Sequence, residues 1–348
     1  MATFHTVKVQ EVIQETADAV SVLFDIPQNL KERFSFKAGQ YITLKKEIKG
    51  EEVRRAYSIC SSPESNEVKV AIKAVENGLF STYATSALKK EDAIEISEPE
   101  GLFTLEPKSD KNYIGFAAGS GITPVLSMVK TVLEAEETST FTLVYGNKTI
   151  ADTIFFDVLN NLKKSYLERF NLHYIYSREH VKNGLRGRID PSVTNYFVKN
   201  MYKETSFDAA FLCGPEEMIK EVSKTLQKNN IAKENIHFEL FTAAIDEEKA
   251  SQVTEGKTLI TVLLDDEDTT FEMSQTEDIL ATCLRNDLDA PYSCQGGVCS
   301  SCMCKVTEGK AVMVKNSILT DSEIEEGLIL ACQAYPTTSK ISIDFDDV

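Results

Sequence analysis

The sequence predicts a multidomain protein: an antiparallel β-barrel, then an α/β domain built on a parallel sheet, then a small α+β domain. Three observations lead to this prediction. The first hundred residues contain short strand-like segments, strand and helix patterns alternate from about residue 107, and a polar stretch precedes a cysteine-rich C-terminal segment. The chain of 348 residues is long enough for three domains. We expect them at 1–106, 107–244 and 257–348, with 245–256 as a linker.

The first segment is rich in short strands. Apolar and polar residues alternate in TVKVQEVI, AVSVLFDI, QYITLKKEI, RRAYSICS and EVKVAIKAV, and turn-forming residues such as Gly39 and Gly50 separate these runs. Short strands at this spacing are typical of a small antiparallel barrel. A helix is expected in STYATSALKK, with Ser81 and Thr82 at its start.

The second segment alternates strands with helices. Strands are predicted in NYIGFAAGSG, FTLVYGN, FNLHYIYS and FDAAFLCGP, and helices in TPVLSMVKTVLEA, ADTIFFDVLNNLKKSY and MIKEVSKTLQKNN. This alternation predicts a parallel sheet that is covered on both faces.

The third segment follows the polar, aperiodic stretch IDEEKASQVTEGK. A hairpin is predicted in TLITVLLDDEDTTFEM and a helix in TEDILATCLRNDL. Thr320 and Glu323 have the spacing of a capping box, which predicts one more short helix.

The composition is that of a globular protein, with 42% hydrophobic and 26% charged residues. The net charge is -17, and residues 257–348 contain six basic and 17 acidic side chains. Such a surface disfavours nucleic-acid binding. The acidic end of the chain suits docking to a basic protein surface, although the same charge would also serve solubility alone.

The expected location is the cytoplasm, because the sequence shows neither a long apolar run nor a signal-peptide core, and no membrane association is expected. Structural disulfides are rare in that compartment. The eight cysteines are therefore expected to bind metal or to do redox work where they cluster.

Four cysteines have the spacing of a plant-type [2Fe–2S] site. Cys294, Cys299 and Cys302 follow the pattern C-x4-C-x2-C, and Cys332 lies further along the chain. Two bridged irons need four thiolates, and adjacent glycines at 296 and 297 would let the loop wrap around them. The alternative is a structural zinc site, but zinc usually takes two short ligand pairs, and Cys332 has no nearby partner in sequence.

The remaining cysteines are expected to have other roles. Cys304 falls outside the ligand pattern and is predicted to be a packed thiol at the start of a strand. Cys60 and Cys283 are expected to be buried thiols. The segment 257–348 resembles plant-type ferredoxins, which implies a β-grasp fold and a cluster held by Cys294, Cys299, Cys302 and Cys332.

Two loops of the second segment suit a dinucleotide. In GSGITP, Gly119 and Gly121 would let a ligand approach the backbone, Thr123 could cap the following helix, and Pro124 would occupy its first position. Cys213, in CGPEEM, follows a strand at the edge where ligand crevices form. A simple tight turn and a buried strand-end thiol are the respective alternatives.

Taken in order, RAYS at residues 55–58, Gly78 with Ser81, GSGITP and CGPEEM are similar to the motifs of the ferredoxin–NADP reductase superfamily, over residues 5–242. The resemblance implies an FAD site formed by Arg55, Tyr57, Ser58, Phe80, Ser81 and Thr82, with Ser58 near flavin N5. It also implies that Gly119, Gly121, Thr123, Gly214 and Pro215 shape the nicotinamide site, with Cys213 beside the reacting carbon. Met218 is expected to pack within its helix.

Cofactor preference and proton transfer are less constrained by the sequence. Ser177 and Arg178, in YSREH, are similar to the pattern that holds the 2′-phosphate of NADP, which favours NADPH and leaves NADH possible. The alternative is a solvated loop arginine. Arg186 and Arg188 could assist. Glu239 could supply a proton at flavin N5 or could be a surface carboxylate, and the sequence leaves both open.

These resemblances imply a reductase that moves electrons from NADPH through FAD and a [2Fe–2S] cluster to an oxygenase component, with a di-iron enzyme as the expected acceptor. The most specific expectation is an oxygenase of the phenylacetyl-CoA epoxidase type, in phenylacetate catabolism. Alternatives are the reductase of another multicomponent oxygenase or desaturase, a flavin reductase with a structural zinc module, and a stand-alone flavin or quinone reductase.

Overall fold

The computed structural model describes residues 3–181, 184–241 and 245–348. These residues form two compact units, Thr3–Glu239 and Leu240–Val348, and each unit is described by itself. The domain boundary expected at residue 244 lies outside the described residues. No helix in the described part of the chain is long and apolar enough to span a bilayer.

The first sheet is antiparallel and curls into the predicted barrel. Its strands are β1 (Phe4–Thr16), β2 (Ala19–Asp25), β3 (Tyr41–Ile48), β4 (Glu51–Ser58), β5 (Val68–Lys73) and β6 (Ala93–Ser97). They are ordered β4-β3-β6-β1-β2-β5, and a bridge between Ile59 and Val70 links the two edge strands. Alternating side chains such as Val22, Ile42 and Ile96 fill the interior, as the period-two pattern predicts.

Helical turns connect these strands. They are the 3-10 turns Gln28–Leu30 and Pro63–Ser65 and the helix α1 (Leu79–Ser86). Helix α1 begins at Leu79, so Ser81 and Thr82 are its third and fourth residues.

The second sheet is parallel throughout, as predicted. Its strands are β7 (Asn112–Ala118), β8 (Thr140–Asn147), β9 (Phe170–Tyr176), β10 (Leu185–Arg186), β11 (Ala209–Cys213) and β12 (Ile236–Glu239). The order β10-β9-β8-β7-β11-β12 places β8 and β11 on either side of β7. The strand order therefore reverses at β7, and in such sheets ligands bind beyond the carboxyl ends of the strands at this point.

Helices join the strands of this sheet. They are α2 (Ile122–Ala135), α3 (Phe156–Ser165), α4 (Pro191–Asn195) and α5 (Glu216–Lys228), with 3-10 turns at Gly119–Gly121 and Lys233–Asn235 and a π-helical segment at Tyr196–Met201. The apolar face of α2 packs in a core with side chains of β7 and β8, including Val125, Phe141 and Leu143.

The prediction that Thr123 caps α2 is wrong. The helix begins at Ile122 with Gly121 in the N-cap position, and no side chain caps it. The 3-10 turn continues directly into the helix, so the Ile122 amide is already bonded to the carbonyls of Gly119 and Ser120. Thr123 instead donates its hydroxyl to the Ser120 carbonyl at 3.1 Å.

The unit Leu240–Val348 contains a mixed sheet ordered β14-β13-β19-β15-β17 and a separate pair of strands, β16 and β18. The bounds are α6 (Glu247–Ala250), β13 (Lys257–Leu264), β14 (Glu267–Ser274), α7 (Ile279–Arg285), β15 (Met303–Glu308), β16 (Ala311–Met313), α8 (Asp321–Glu325), β17 (Leu328–Leu330), a 3-10 turn Ala331–Gln333, β18 (Ala334–Pro336) and β19 (Lys340–Asp344).

Local signals in this unit behave as predicted. The β13–β14 hairpin turns at Asp265 and Asp266, whose φ values of 54° and 61° are those of a two-residue type I′ turn. Thr320 and Glu323 form the predicted capping box. The segment predicted to be a linker contains one helical turn, α6, because the Asp246 side chain caps it by accepting from the Lys249 amide.

Candidate functional site

The four cysteines with ligand spacing are brought together in the second unit. The Sγ atoms of Cys294 and Cys299 are 3.1 Å apart. Cys332 is hydrogen-bonded to both Cys294 and Cys302. The bond to Cys294 lowers the pKa of the Cys332 thiol, but the bond to Cys302 and burial outweigh it and raise this pKa to about 12. No group of three or more His, Cys, Asp or Glu side chains within the described ranges is arranged to hold a metal ion. Four thiols linked in pairs are a donor set that suits two bridged irons.

The prediction for the loop between these cysteines is confirmed at Gly297 and wrong at Gly296, whose place is taken by Gln295. Gln295 and Gly297 have left-handed φ values of 53° and 72°, whereas Gly296 does not. A Cβ at Gly297 would lie 2.8 Å from the Lys315 carbonyl oxygen, while one at Gly296 would meet nothing closer than 3.8 Å. The close backbone approach therefore requires glycine at 297. The Gly296 amide donates to Cys294 Sγ at 3.3 Å, a contact of the kind that tunes a cluster.

Two side chains that belong to no sequence motif hold this loop. The Ser317 amide and hydroxyl both donate to the Gly297 carbonyl, at 3.0 and 3.1 Å. Gln333 donates from Nε2 to the Gln295 carbonyl at 3.0 Å. The one sequence signal that could have identified either residue is that Gln333 directly follows Cys332.

The other thiols are placed as expected. Cys304 lies on β15 and is fully buried, and Cys60 and Cys283 are buried as well. Burial raises the pKa of Cys304, with the charges of neighbouring groups adding to the effect, so this thiol stays protonated.

The candidate flavin residues of the first unit lie at the end of β4. The Arg55 guanidinium donates to the Arg54 carbonyl at 2.7 Å. The Tyr57 ring lies 5.7 Å from the Phe80 ring, centroid to centroid. Burial raises the pKa of the Tyr57 hydroxyl despite the opposing charge of Arg55, so Tyr57 remains neutral. Strand β4 and helix α1 thus meet through these two aromatic rings.

At the start of α1, the backbone is crowded around Gly78. A Cβ there would lie 2.4 Å from Val75 Cγ2 and 2.5 Å from Ser81 Oγ. The Ser81 hydroxyl accepts from the Val75 amide at 3.2 Å, which fixes the loop before the helix. Phe80 is buried and packs in the barrel core, whereas Thr82 is exposed. A phosphate at this helix start would therefore meet main-chain amides first.

Two loops meet at the carboxyl edge of the parallel sheet. A Cβ at Gly121, after β7, would lie 2.2 Å from the carbonyl oxygen of Cys213, the last residue of β11. A Cβ at Gly214 would likewise come too close to Met218 and Ala118. Met218 is buried within α5, as predicted. By contrast, Gly119 has φ of 55° and open space around its Cβ direction. Gly121 and Gly214 therefore let the loops after β7 and β11 lie close together, because neither position has room for a Cβ.

Tyr145 also contacts the glycine loop at this edge, although no motif in the sequence includes it. It is fully buried on β8, and its hydroxyl donates to the Gly119 carbonyl at 2.9 Å. A buried hydroxyl needs such a partner, and here the partner orients the first glycine of the loop.

Ser58, Cys213 and Glu239 converge at the same edge. Cys213 and Glu239 are paired residues at the ends of β11 and β12. Ser58, from β4 of the barrel, donates its hydroxyl to Glu239 Oε2 at 3.0 Å. Burial raises the pKa of the Glu239 carboxyl to about 7, against the lowering effect of the Ser58 bond. Burial and the nearby Glu239 charge raise the pKa of Cys213 well above its usual value, so this thiol is neutral.

The raised pKa of Glu239 predicts a pH-dependent stability difference for Glu239→Gln. The folded protein holds this proton up to about pH 7, so wild type loses stability relative to the variant as pH rises from about 4.5 to about 7. Because Glu239 is partly exposed, we expect the unfolding free energy of wild type to fall by roughly 1–2 kcal/mol relative to the variant over this pH range. Thermal melting from pH 4 to 8 measures the difference.

Glu98 provides a comparison, because its predicted dependence of stability on pH has the opposite sign. A hydrogen bond from Arg33 lowers the pKa of this carboxyl, followed by one from His5, so its stabilising contribution is present at neutral pH and is lost as pH falls. As pH rises, Glu98→Gln should therefore lose stability relative to wild type, whereas Glu239→Gln should gain it. Parallel melting curves for wild type and Glu239→Gln across the whole range would contradict the Glu239 prediction.

Ser177 and Arg178 follow β9, two strands from β7. The Ser177 amide donates to the Asn147 carbonyl at 3.0 Å and the Arg178 amide to the Lys148 carbonyl at 2.9 Å. The Arg178 side chain is exposed at this edge. Arg186 pairs with Tyr176 on the short strand β10, and Arg186 and Arg188 are both exposed. The parallel sheet therefore brings these cations to the edge where the glycine loop lies.

Comparison with known proteins agrees with this arrangement. Three family models match: an oxidoreductase FAD-binding domain at residues 6–105, an oxidoreductase NAD-binding domain at 116–224, and a 2Fe-2S iron-sulfur cluster binding domain at 262–337. The chain is therefore a flavin- and NAD(P)H-dependent oxidoreductase with an iron–sulfur domain, and the last match decides for iron–sulfur over zinc.

Proteins that are similar to this chain over nearly its whole length show which kind of oxidoreductase it is. The chain is 39% identical to one of the subunits of the 1,2-phenylacetyl-CoA epoxidase of Escherichia coli, over 99% of both chains. It is 31% identical to the ferredoxin reductase component of 3-ketosteroid-9-alpha-monooxygenase of Rhodococcus rhodochrous, over 97% of this chain and 95% of that one. Phthalate dioxygenase reductase shares the fold, with a TM-score of 0.68, 24% identity and 98% coverage of each chain. This chain belongs to the family of reductase components of multicomponent oxygenases.

Proposed function

We propose that this protein oxidises NADPH and delivers the electrons singly to an oxygenase of the phenylacetyl-CoA epoxidase type. The observation that carries the proposal is the 39% identity to the E. coli epoxidase protein, which extends over 99% of both chains and so includes all three domain types. Bound FAD would accept a hydride as an electron pair and the [2Fe–2S] cluster would pass electrons one at a time. We propose the domains at 1–106, 107–244 and 257–348, joined by a linker at 245–256.

In this proposal the first unit holds FAD between β4 and α1. Arg55, the main-chain amides at Phe80 and Ser81, and the Thr82 hydroxyl would bind the pyrophosphate, since the Thr82 amide already donates to the Gly78 carbonyl. Tyr57, neutral and packed against Phe80, would lie against the flavin. Ser58 could donate near flavin N5 once Glu239 is protonated, because the carboxyl would then donate to Ser58 Oγ and leave the serine hydroxyl hydrogen for the flavin. The Glu239 carboxyl, with its pKa near 7, would hold or release a proton at this position.

The nicotinamide would lie where the two glycine loops meet. Gly119, Gly121, Thr123, Gly214 and Pro215 would shape the site through backbone, and Cys213 would be the nearest side chain. Because the Cys213 thiol is buried and protonated, its contribution would be contact and orientation and not nucleophilic attack.

We infer that Ser177 and Arg178 select NADPH by binding its 2′-phosphate, with Arg186 and Arg188 nearby. An arginine–phosphate contact is worth roughly 1.5–3 kcal/mol, so Arg178→Ala should raise KM for NADPH by about 10–100-fold. KM for NADH should change little. Steady-state reduction of ferricyanide with each nucleotide measures both values.

Lys228→Ala provides the matched control, because Lys228 is an exposed cation at the end of α5. It should leave both KM values unchanged. Equal effects of Arg178→Ala on NADPH and NADH would reject the assignment of Arg178 to the 2′-phosphate.

The proposed acceptor is a di-iron oxygenase component in the cytoplasm. The 17 acidic and six basic residues of 257–348 suit a basic docking surface on such a partner. Substrate binding would then belong to the oxygenase.

Reconstitution tests the proposed function. Purified protein, NADPH and the oxygenase components of a phenylacetyl-CoA epoxidase are mixed, and epoxide formation is followed. Product should depend on this protein and on NADPH, and should fall as salt rises, because exposed charges are screened. Fast reduction of free flavin or quinone with no epoxide formed would favour a stand-alone reductase instead.

A further inference from the structure

Gln333 connects the two parts of the cysteine ligand set. It directly follows Cys332, and its Nε2 donates to the Gln295 carbonyl at 3.0 Å across 38 positions of sequence. Gln295 in turn directly follows Cys294. The side chain is only 8% exposed. Two hydrogen bonds therefore join the segment with the distant cysteine to the loop with the other three: this side-chain bond at the Cys294 end, and the main-chain bond from the Ala331 amide to the Cys302 carbonyl at 2.9 Å.

The surrounding backbone fixes both ends of this bond. Gln333 ends the 3-10 turn Ala331–Gln333, and its carbonyl accepts from the Val314 amide at 3.0 Å. On the other side, the left-handed conformation of Gln295, with φ of 53°, sets the direction of its carbonyl. A buried amide that lost this acceptor would cost about 1–3 kcal/mol. Loss of the bond is therefore costly, and the bond links the residue after Cys332 directly to the residue after Cys294.

We propose that Gln333 is a positioning residue for the [2Fe–2S] cluster: by binding the Gln295 carbonyl, it holds Cys332 in place against the loop and so sets how firmly iron is retained and at what potential the cluster works. This inference rests on the proposed role of the four cysteines as ligands. Groups that orient ligands from outside the coordination sphere commonly have such effects on metal sites.

The same unit contains a matched glutamine. Gln275 is also 8% exposed, and its Nε2 donates to Thr258 Oγ1 at 3.1 Å and to the Thr338 carbonyl at 3.2 Å. Its Oε1 accepts from Thr254 at 2.6 Å. None of these partners lies in the cysteine loop. Removing the Gln275 amide therefore tests what the loss of a buried glutamine hydrogen bond does to stability alone.

The experiment compares Gln333→Leu and Gln275→Leu in the full-length protein with its cofactors. Both should lower the melting temperature. Only Gln333→Leu should release iron faster to a ferrous chelator, by roughly tenfold, and shift the midpoint potential in an EPR-monitored redox titration. Gln333→Met, which keeps length and volume without donors, should do the same if the leucine variant folds poorly.

Wild-type iron release and an unchanged potential in both Gln333 variants would overturn the proposal, and so would equal changes in Gln275→Leu. These readouts need no oxygenase, which separates the two hypotheses. A wild-type protein that carries the cluster but supports no epoxidation would reject the proposed partner and leave the role of Gln333 standing. A wild-type protein without a cluster would reject both.

Discussion

Replacement of Cys299 by serine is expected to remove the cluster and stop electron transfer to cytochrome c, while NADPH-dependent reduction of ferricyanide continues. Serine is a poor substitute because the iron ligand is a thiolate, and a serine hydroxyl is far harder to deprotonate than a thiol. Cys299 is buried and its Sγ lies 3.1 Å from that of Cys294. Iron and sulfide content, absorbance beyond the flavin bands, and the two acceptor assays together measure the result.

Cys304→Ser is the control for this experiment. Cys304 is buried like Cys299 and lies two positions after Cys302, but it falls outside the ligand pattern. The variant should keep its cluster and its cytochrome c activity, with some loss of thermal stability from a hydroxyl in an apolar site. If Cys299→Ser kept iron, spectrum and transfer, or if Cys304→Ser lost them instead, the ligand assignment would be wrong.

The second large effect is expected at Gly121, where alanine should damage nucleotide binding and stability together. The new Cβ would lie 2.2 Å from the Cys213 carbonyl oxygen and 2.5 Å from its carbon. Because both atoms belong to the backbone, no side-chain rotation can relieve the clash, and the loops after β7 and β11 must separate. We expect a cost of about 1–3 kcal/mol and the loss of measurable NADP+ binding by difference spectroscopy.

Gly119→Ala separates this clash from the general effect of replacing a loop glycine. Its Cβ would meet nothing within 4 Å, and only the left-handed φ of 55° opposes the substitution. That conformation costs an L-residue about 1–2 kcal/mol, so moderate destabilisation with retained NADP+ binding is expected. FAD and iron content should stay at wild-type values in both variants. Normal NADP+ affinity in Gly121→Ala would contradict the close approach of the two loops.

Local patterns were sufficient for much of the fold, for the iron–sulfur cluster and for a dinucleotide loop, whereas FAD was implied only by the resemblance to the ferredoxin–NADP reductase superfamily. Period-two alternation identified the barrel strands, and the strand–helix alternation predicted the parallel sheet, because each pattern reflects which face of an element is buried. The spacing of Cys294, Cys299 and Cys302 indicated the cluster because these residues occupy one short loop. The capping box at Thr320 and the hairpin of TLITVLLDDEDTTFEM were also predicted, since the first is complete within four residues and the second joins neighbouring segments.

Predictions failed where a neighbouring element supplied the decisive contact. Thr123 has the residue type of a helix cap, yet a preceding 3-10 turn already satisfies the first amides of α2. Gly296 and Gly297 look equivalent in sequence, yet only Gly297 faces the Lys315 backbone. Tyr145 and Gln333 belong to no motif, because their partners lie 26 and 38 positions away.

The sequence by itself determined the order of the three domain types and the cysteine loop that suits the cluster, because each depends on residues close together in the chain, and the resemblance to known motifs added FAD and the nicotinamide cofactor. Only the tertiary structure decided which distant groups meet. The reversal of strand order at β7 brings the loops at Gly121 and Cys213 into contact, and the edge of the parallel sheet brings Glu239 to Ser58 across 181 positions. Those contacts set the pKa of Glu239 and the space left for a nucleotide, since both depend on burial and approach distance and not on residue type.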